Sequence, residues 1–212
     1  MDIIDQISLY IDKGDDEKVA ELTRMAIEQK ITAKKILDDG LFRGMNTIGE
    51  KFKNHEIFLP EVLMAAKAMQ AGMDLLKPLL ILADIPSKGK VVLGTVRGDL
   101  HDIGKNLVGI MLKGAGFEVI DLGSDVSPEK FIETAKKHEA PVIGMSALLT
   151  TTMPVMKEVV NLLRNENLED KIKTIIGGAP VSKNFAEEIG ASAYSYNGAH
   201  AVKCVKELLN QE

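Results

Sequence analysis

A single cysteine, Cys204, stands in 212 residues, so the chain has no intrachain disulfide framework, as expected of a protein in a reducing cytoplasm. Cys204 shares a helical face with Ala201 and Leu208 and reads as a packed thiol rather than a nucleophile. Tryptophan is absent and aromatics make up 4%, which leaves no stacking platform for single-stranded nucleic acid. The net charge of -5, without a long basic run, also argues against nucleic acid as the partner. No apolar run is long enough to span a membrane and the first residues do not resemble a signal peptide, so neither secretion nor membrane insertion is expected. What is present is an ordinary globular balance, 45% hydrophobic and 27% charged, in a chain long enough for one large or two modest domains.

The first part has helical periodicity and no convincing strand. Ile4, Ile7 and Ile11 mark one helix, and Val19, Leu22 and Ala26 a second, after Asp15 and Asp16 in a favourable first-turn position. Thr32 suits the N-cap of a third helix with the stripe Leu41, Met45, Ile48 and Phe52. Pro60 suits the first turn of a fourth, with Val62, Ala66, Met69, Met73 and Leu76 on one face. Short connections between four helices predict an antiparallel bundle. Gly40, Gly44 and Gly49 lie in or beside the third helix, each costing roughly 1 kcal/mol relative to alanine, so a neighbouring backbone is expected to come close there. Residues 52–60 gather large apolar groups at a helix junction, either as a hydrophobic staple or, through Phe52 and Leu59, as a lid over a ligand.

Periodicity is lost over Ile81–Gly89, a stretch with Pro, Ser and Gly, which places a domain boundary between residues 86 and 87. From there to residue 212, strands at 91–96, 117–122, 141–146, 172–176 and 192–195 alternate with helices at 103–115, 128–138, 152–165, 182–189 and 198–210. Alternation of this kind makes a five-stranded parallel, doubly wound α/β sheet of flavodoxin-like order 2-1-3-4-5, with a ligand crevice at the carboxyl ends of strands 1 and 3.

The chemistry concentrates in Gly98-Asp99-Leu100-His101-Asp102-Ile103-Gly104-Lys105-Asn106, where the first strand opens into a helix. Asp99, two residues before His101, can accept one imidazole N–H and turn the other nitrogen outward, as beside a metal-ligating histidine. Alternatively Asp99 or Asp102 caps the helix, Gly104 packs closely and His101 is a polar loop residue. Two further loops meet this one. Ser146 to Thr152 is rich in hydroxyls, and Gly177-Gly178 removes side chains so that something can pass the backbone. Each alone is explained by helix caps or a tight turn; together they describe a narrow slot beside a histidine. His55, His138 and His200 are expected on the surface, without a role.

The blocks Asp99-x-His101-x-x-Gly104, then 41 residues, Ser146-x-Leu148, then 28 residues, Gly177-Gly178 resemble the cobalamin-binding signature of corrinoid-dependent methyltransferases and base-off mutases. The helical part resembles the cap domain of methionine synthase, with Phe52 and Leu59 at its capping positions, so the resemblance covers almost the whole chain. It implies cobalamin bound base-off and histidine-on, with His101 as the cobalt's lower axial ligand. Asp99 would hydrogen-bond the distal imidazole nitrogen and the hydroxyl of Thr152, where methionine synthase has serine, would continue the relay. Ser146 would meet the buried base, Leu148 line its channel, and Gly177 and Gly178 let the nucleotide tail pass. Gly98, Asp102, Ile103 and Thr150 are expected beside the cofactor too.

In such a family the cofactor alternates between methylcobalamin and a Co(I) corrinoid, while the protein positions it and tunes its axial bond. The resemblance therefore implies a methyl carrier, not catalytic alone, served by a substrate-specific methyltransferase. A second methyltransferase to tetrahydrofolate or a thiol, and a reductive activase, would complete the system. Two other readings stay open. A cobalamin-dependent sensor or regulatory protein shares the architecture but would add a DNA-binding helix-turn-helix and a tryptophan-bearing cap. A flavodoxin-like phosphate binder would need a glycine-rich loop after strand 1 and no histidine.

Overall fold

Each of the first helices begins where a short oxygen-bearing side chain can take up an unpaired amide. Asp2 accepts from Asp5 N at 2.8 Å to open α1 (Ile3–Asp12), and Asp15 accepts from Lys18 N at 2.9 Å to open α2 (Asp16–Glu28). The computed structural model describes residues 1–83 and 87–210; of the linker expected at residues 81–89, residues 84–86 lie outside the described residues. The chain divides into two units, Met1–Ser87 with Gly114–Gly116 and Lys88–Lys113 with Phe117–Glu212.

In the helical unit Thr32 caps α3 (Ala33–Lys35), as its position predicts. The third helix is not a regular α-helix, however. After α3 the chain winds as a π-helix over Ile36–Phe42 before resuming as α4 (Arg43–Lys53). The wide turn lets Ile36, Leu37, Gly40, Leu41 and Phe42 all face inward, more than one α-helical stripe could bury. Gly40 and Gly44 do sit under α1: a Cβ on Gly44 would lie 2.9 Å from both Ile11 Cβ and the Ser8 carbonyl. In α5 (Leu59–Leu82) the buried face is Val62, Ala65, Ala68, Met69, Gly72 and Leu76. Ala66 and Met73 are only half-buried, because the face is turned toward small residues that admit α2.

The second unit holds β1 (Lys90–Thr95), α6 (Ile103–Gly114), β2 (Glu118–Asp121), α7 (Pro128–His138), β3 (Val142–Ser146), α8 (Pro154–Asn165), β4 (Lys173–Gly177), α9 (Lys183–Ile189), β5 (Ala193–Ser195) and α10 (Gly198–Leu208). All strands pair in parallel in the order β2-β1-β3-β4-β5, the topology the alternating pattern predicts. A core of Val92, Phe131, Ile143, Met156 and Ile176 is fixed between sheet and helices. α8 starts later than residue 152, at Pro154, whose ring suits the first helical turn and leaves Thr150, Thr151 and Thr152 in the preceding turn. The sheet register sets Thr95 beside Ser146, Ser146 beside Gly177 and Gly177 beside Ser195, so β1, β3, β4 and β5 end in small residues.

Cys204 is packed in α10 and burial pushes its thiol up, as a packed thiol requires. His55 is exposed, whereas His138 and His200 are half-buried rather than free on the surface. His200 stacks on Tyr196 with ring centroids 4.2 Å apart.

Candidate functional site

At the carboxyl edge of β1 the chain turns through Gly98, in the left-handed region at φ +82°, and drives the next side chain inward. Asp99 is 0% exposed, a position a carboxylate tolerates only when fully hydrogen-bonded. Oδ1 accepts from His101 N at 3.1 Å and His101 Nδ1 at 2.7 Å. Oδ2 accepts from Leu148 N at 2.7 Å, Leu149 N at 3.1 Å and Thr152 Oγ1 at 2.9 Å. Burial alone would raise the Asp99 pKa, but the His101 ring and the amides of Leu148, His101 and Leu149 together hold it well below the usual carboxylate range. Asp99 is therefore an anion, neither an N-cap nor a surface carboxylate.

An ionised carboxylate can only accept, so the proton between it and the imidazole sits on His101 Nδ1. That fixes the tautomer with a lone pair on Nε2, the atom that can ligate a metal. The His101 side chain is 53% exposed, and its carbonyl is held by Thr95 Oγ1 at 3.0 Å. Thr152 lies in the turn before α8 and divides its single hydroxyl proton between Asp99 and the Leu149 carbonyl, 2.9 Å from each. The Asp99–His101–Thr152 constellation expected from the sequence is thus assembled by β1, the β3–α8 loop and their turns.

No group of three or more His, Cys, Asp or Glu that could hold a metal ion occurs among the described residues. One imidazole cannot hold a bare ion, but it suits a metal that arrives with its other positions filled by a macrocycle. The surroundings fit such a group. Leu100, Ile103, Leu148 and Leu149 are exposed at 73%, 71%, 43% and 40%, an apolar surface in the same loops as the histidine and its carboxylate. Gly104 lies in the first turn of α6, and a Cβ there would meet nothing within 4 Å, so the protein's own packing does not require glycine.

Elsewhere the arrangement is less direct. The Asp102 carboxylate turns to the start of α6, accepting from Asn106 Nδ2 at 3.0 Å. Ser146 is half-buried at the end of β3, and Thr150 is exposed. Gly177 and Gly178 make room first for the protein itself: a Cβ would lie 2.8 Å from the Ser195 carbonyl oxygen at Gly177 and 1.8 Å from the Ala147 carbonyl oxygen at Gly178. Phe52, near the end of α4, and Leu59, the first residue of α5, belong to the helical unit, where each is half-buried. Sequence reasoning missed Thr95, Leu100 and Leu149, although apolar residues flanking an Asp-x-His in a loop are themselves a signal.

The B12 binding domain family matches residues 89–205, and a second B12 binding domain family matches residues 3–77. A corrinoid protein of Desulfitobacterium hafniense is 41% identical, aligned over 100% of this chain and 99% of its own. Dimethylamine corrinoid protein 1 of Methanosarcina acetivorans is 49% identical over 82% of each chain. The methanol:cobalamin methyltransferase complex of Methanosarcina barkeri contains a chain with TM-score 0.88 and 32% identity, covering 99% of this chain and 80% of that one. Among the described residues no helix is long and apolar enough to cross a membrane.

Proposed function

The chain belongs to the B12-binding family of corrinoid proteins, and from that premise we propose that it carries a methyl group on cobalt between two methyltransferases. The observation that supports this most is the 2.7 Å contact from His101 Nδ1 to buried, ionised Asp99, which leaves Nε2 as the outward donor. When bound, the corrinoid supplies a cobalt able to accept and release a methyl group. His101 would hold the cobalt through Nε2, the ring nitrogen left free by the Nδ1 bond to Asp99.

The protein's part is to set how firmly that ligand binds. Asp99 holds the Nδ1 proton and makes the ring a stronger donor, and Thr152 steadies Asp99 from its other oxygen. The exposed apolar side chains of Leu100, Ile103, Leu148 and Leu149 would exclude water from the metal beside His101. Gly98, Asp102, Gly104, Ser146, Thr150, Gly177 and Gly178, in the same loops of the sheet unit, would border the bound cofactor.

The named relatives favour a small methylated amine or alcohol as methyl donor, delivered by a substrate-specific methyltransferase. A second methyltransferase would take the methyl group on to tetrahydrofolate or a thiol, and a reductive activase would supply the electrons that keep the cofactor active, all in the cytoplasm. The deciding measurement is the absorption spectrum after reconstitution with cobalamin. The native chain is expected to show the base-off, histidine-ligated form and His101→Ala to lose it; identical spectra would overturn the assignment.

A further inference from the structure

Resting on that reading, we infer that Asp125, in the loop after β2, is a positioning residue that holds the histidine loop ready before the cofactor arrives. Asp125 makes two bonds to that loop, one in each direction. Its Oδ1 accepts from Gly98 N at 2.7 Å, and its own N donates to the Asp99 carbonyl at 3.0 Å. The pair brackets the peptide that turns the Asp99 carboxylate inward toward the His101 ring. Asp125 adopts φ +57°, a left-handed conformation that costs a residue with a Cβ energy and that Asp and Asn tolerate best. Such local strain persists only where surrounding bonds enforce it.

The end of β2 fastens the far end of the histidine segment. Lys105, its side chain 1% exposed, places Nζ 2.6 Å from both carboxylate oxygens of Asp121 and 2.7 Å from Asn106 Oδ1. Between these anchors Thr95 N donates to the Gly123 carbonyl at 2.9 Å and Val126 N to the Thr95 carbonyl at 3.0 Å. An irregular loop otherwise samples many conformations, and a ligand's apparent affinity falls by the fraction of molecules in the competent one. By fixing Gly98 and Asp99 from outside the site, Asp125 keeps that fraction high.

The test compares Asp125→Gly, which adopts the left-handed conformation freely but lacks the acceptor, with Asp125→Asn, which keeps an acceptor oxygen. Two quantities are read: exchange of the Gly98 amide in cofactor-free protein, and affinity for hydroxocobalamin with the histidine-ligated fraction of its spectrum. The glycine variant should speed Gly98 exchange and weaken cobalamin binding, each about fivefold or more, as loss of one hydrogen bond implies, with a smaller histidine-ligated fraction. The asparagine variant should stay within about twofold of the native chain on both. A purely structural role would separate the two variants in Gly98 exchange alone and leave the histidine-ligated fraction unmoved. Equal behaviour of Gly and Asn, or faster exchange with unchanged binding, overturns the inference. A native chain that never shows histidine ligation instead defeats the methyl-carrier reading and leaves the Gly98 exchange result standing by itself.

Discussion

Two buried oxygen-bearing side chains stand at opposite limits. Asp99 receives five donors, counting both contacts from His101, and is stable as an anion at 0% exposure. Thr23, also 0% exposed, has no hydrogen-bond partner for its hydroxyl among the described residues. It lies in α2 opposite Gly72, where a Cβ would come within 3.2 Å of its Oγ1. An unpaired buried hydroxyl costs about 1 to 3 kcal/mol, whereas a methyl group in its place would bury without penalty. Thr23→Val should therefore raise stability by about 1 kcal/mol, seen as a higher urea midpoint at unchanged slope. A lower midpoint would show that the hydroxyl is satisfied after all. The two residues also differ in how visibly the sequence marks them. Asp99 announces itself by standing two places before a histidine in a loop, while a threonine beside a helical stripe of Val19, Leu22 and Ala26 gives no sign that it is stranded.

Glycines show why elements are only partly legible. Gly104 and Gly178 both belong to the motif blocks, yet their surroundings differ completely. At Gly178, φ is +135° and a Cβ would collide with the Ala147 carbonyl, so no side chain fits. Gly178→Ala should destabilise by about 3 kcal/mol or more, combining backbone strain with overpacking. At Gly104 there is open space, and alanine is the better helix former. Gly104→Ala should leave the unfolding midpoint level or slightly raised while weakening cobalamin binding, because its methyl group projects where the corrinoid is proposed to lie. Paired denaturation and cobalamin titrations check both; equal stability losses would mean that neither glycine is reserved for a ligand. The π-helix at Ile36–Phe42 was hidden for a related reason. Its residues suit an ordinary helix, and the extra residue per turn comes from burying Gly40 and Gly44 against α1, a demand of packing rather than of local preference.

At the scale of the whole chain the sheet order was legible because strand and helix patterns alternate and parallel strands accept few connections. The hydrogen bonds that converge on the histidine loop from β2 and β3 were not, since they depend on which loops the finished sheet brings together. Each unit also buries its own core, Ile7, Ile11, Leu41, Ile48 and Leu76 in one, Val92, Phe131, Ile143, Met156 and Ile176 in the other. A ligand that binds only the folded sheet unit stabilises the protein by mass action, by about 2.7 kcal/mol at a hundredfold excess over Kd. For a unit of this size that is a rise in apparent Tm of roughly 10 °C on adding cobalamin. His101→Ala, which also removes the 2.7 Å donor to buried Asp99, should lower the cofactor-free Tm by several degrees and lose most of the rise at the same cobalamin concentration. Scanning calorimetry with and without cobalamin reads both. An undiminished rise in the variant would mean that the apolar surface and the tail contacts hold the corrinoid without the axial bond, leaving histidine to tune the cobalt rather than to retain it.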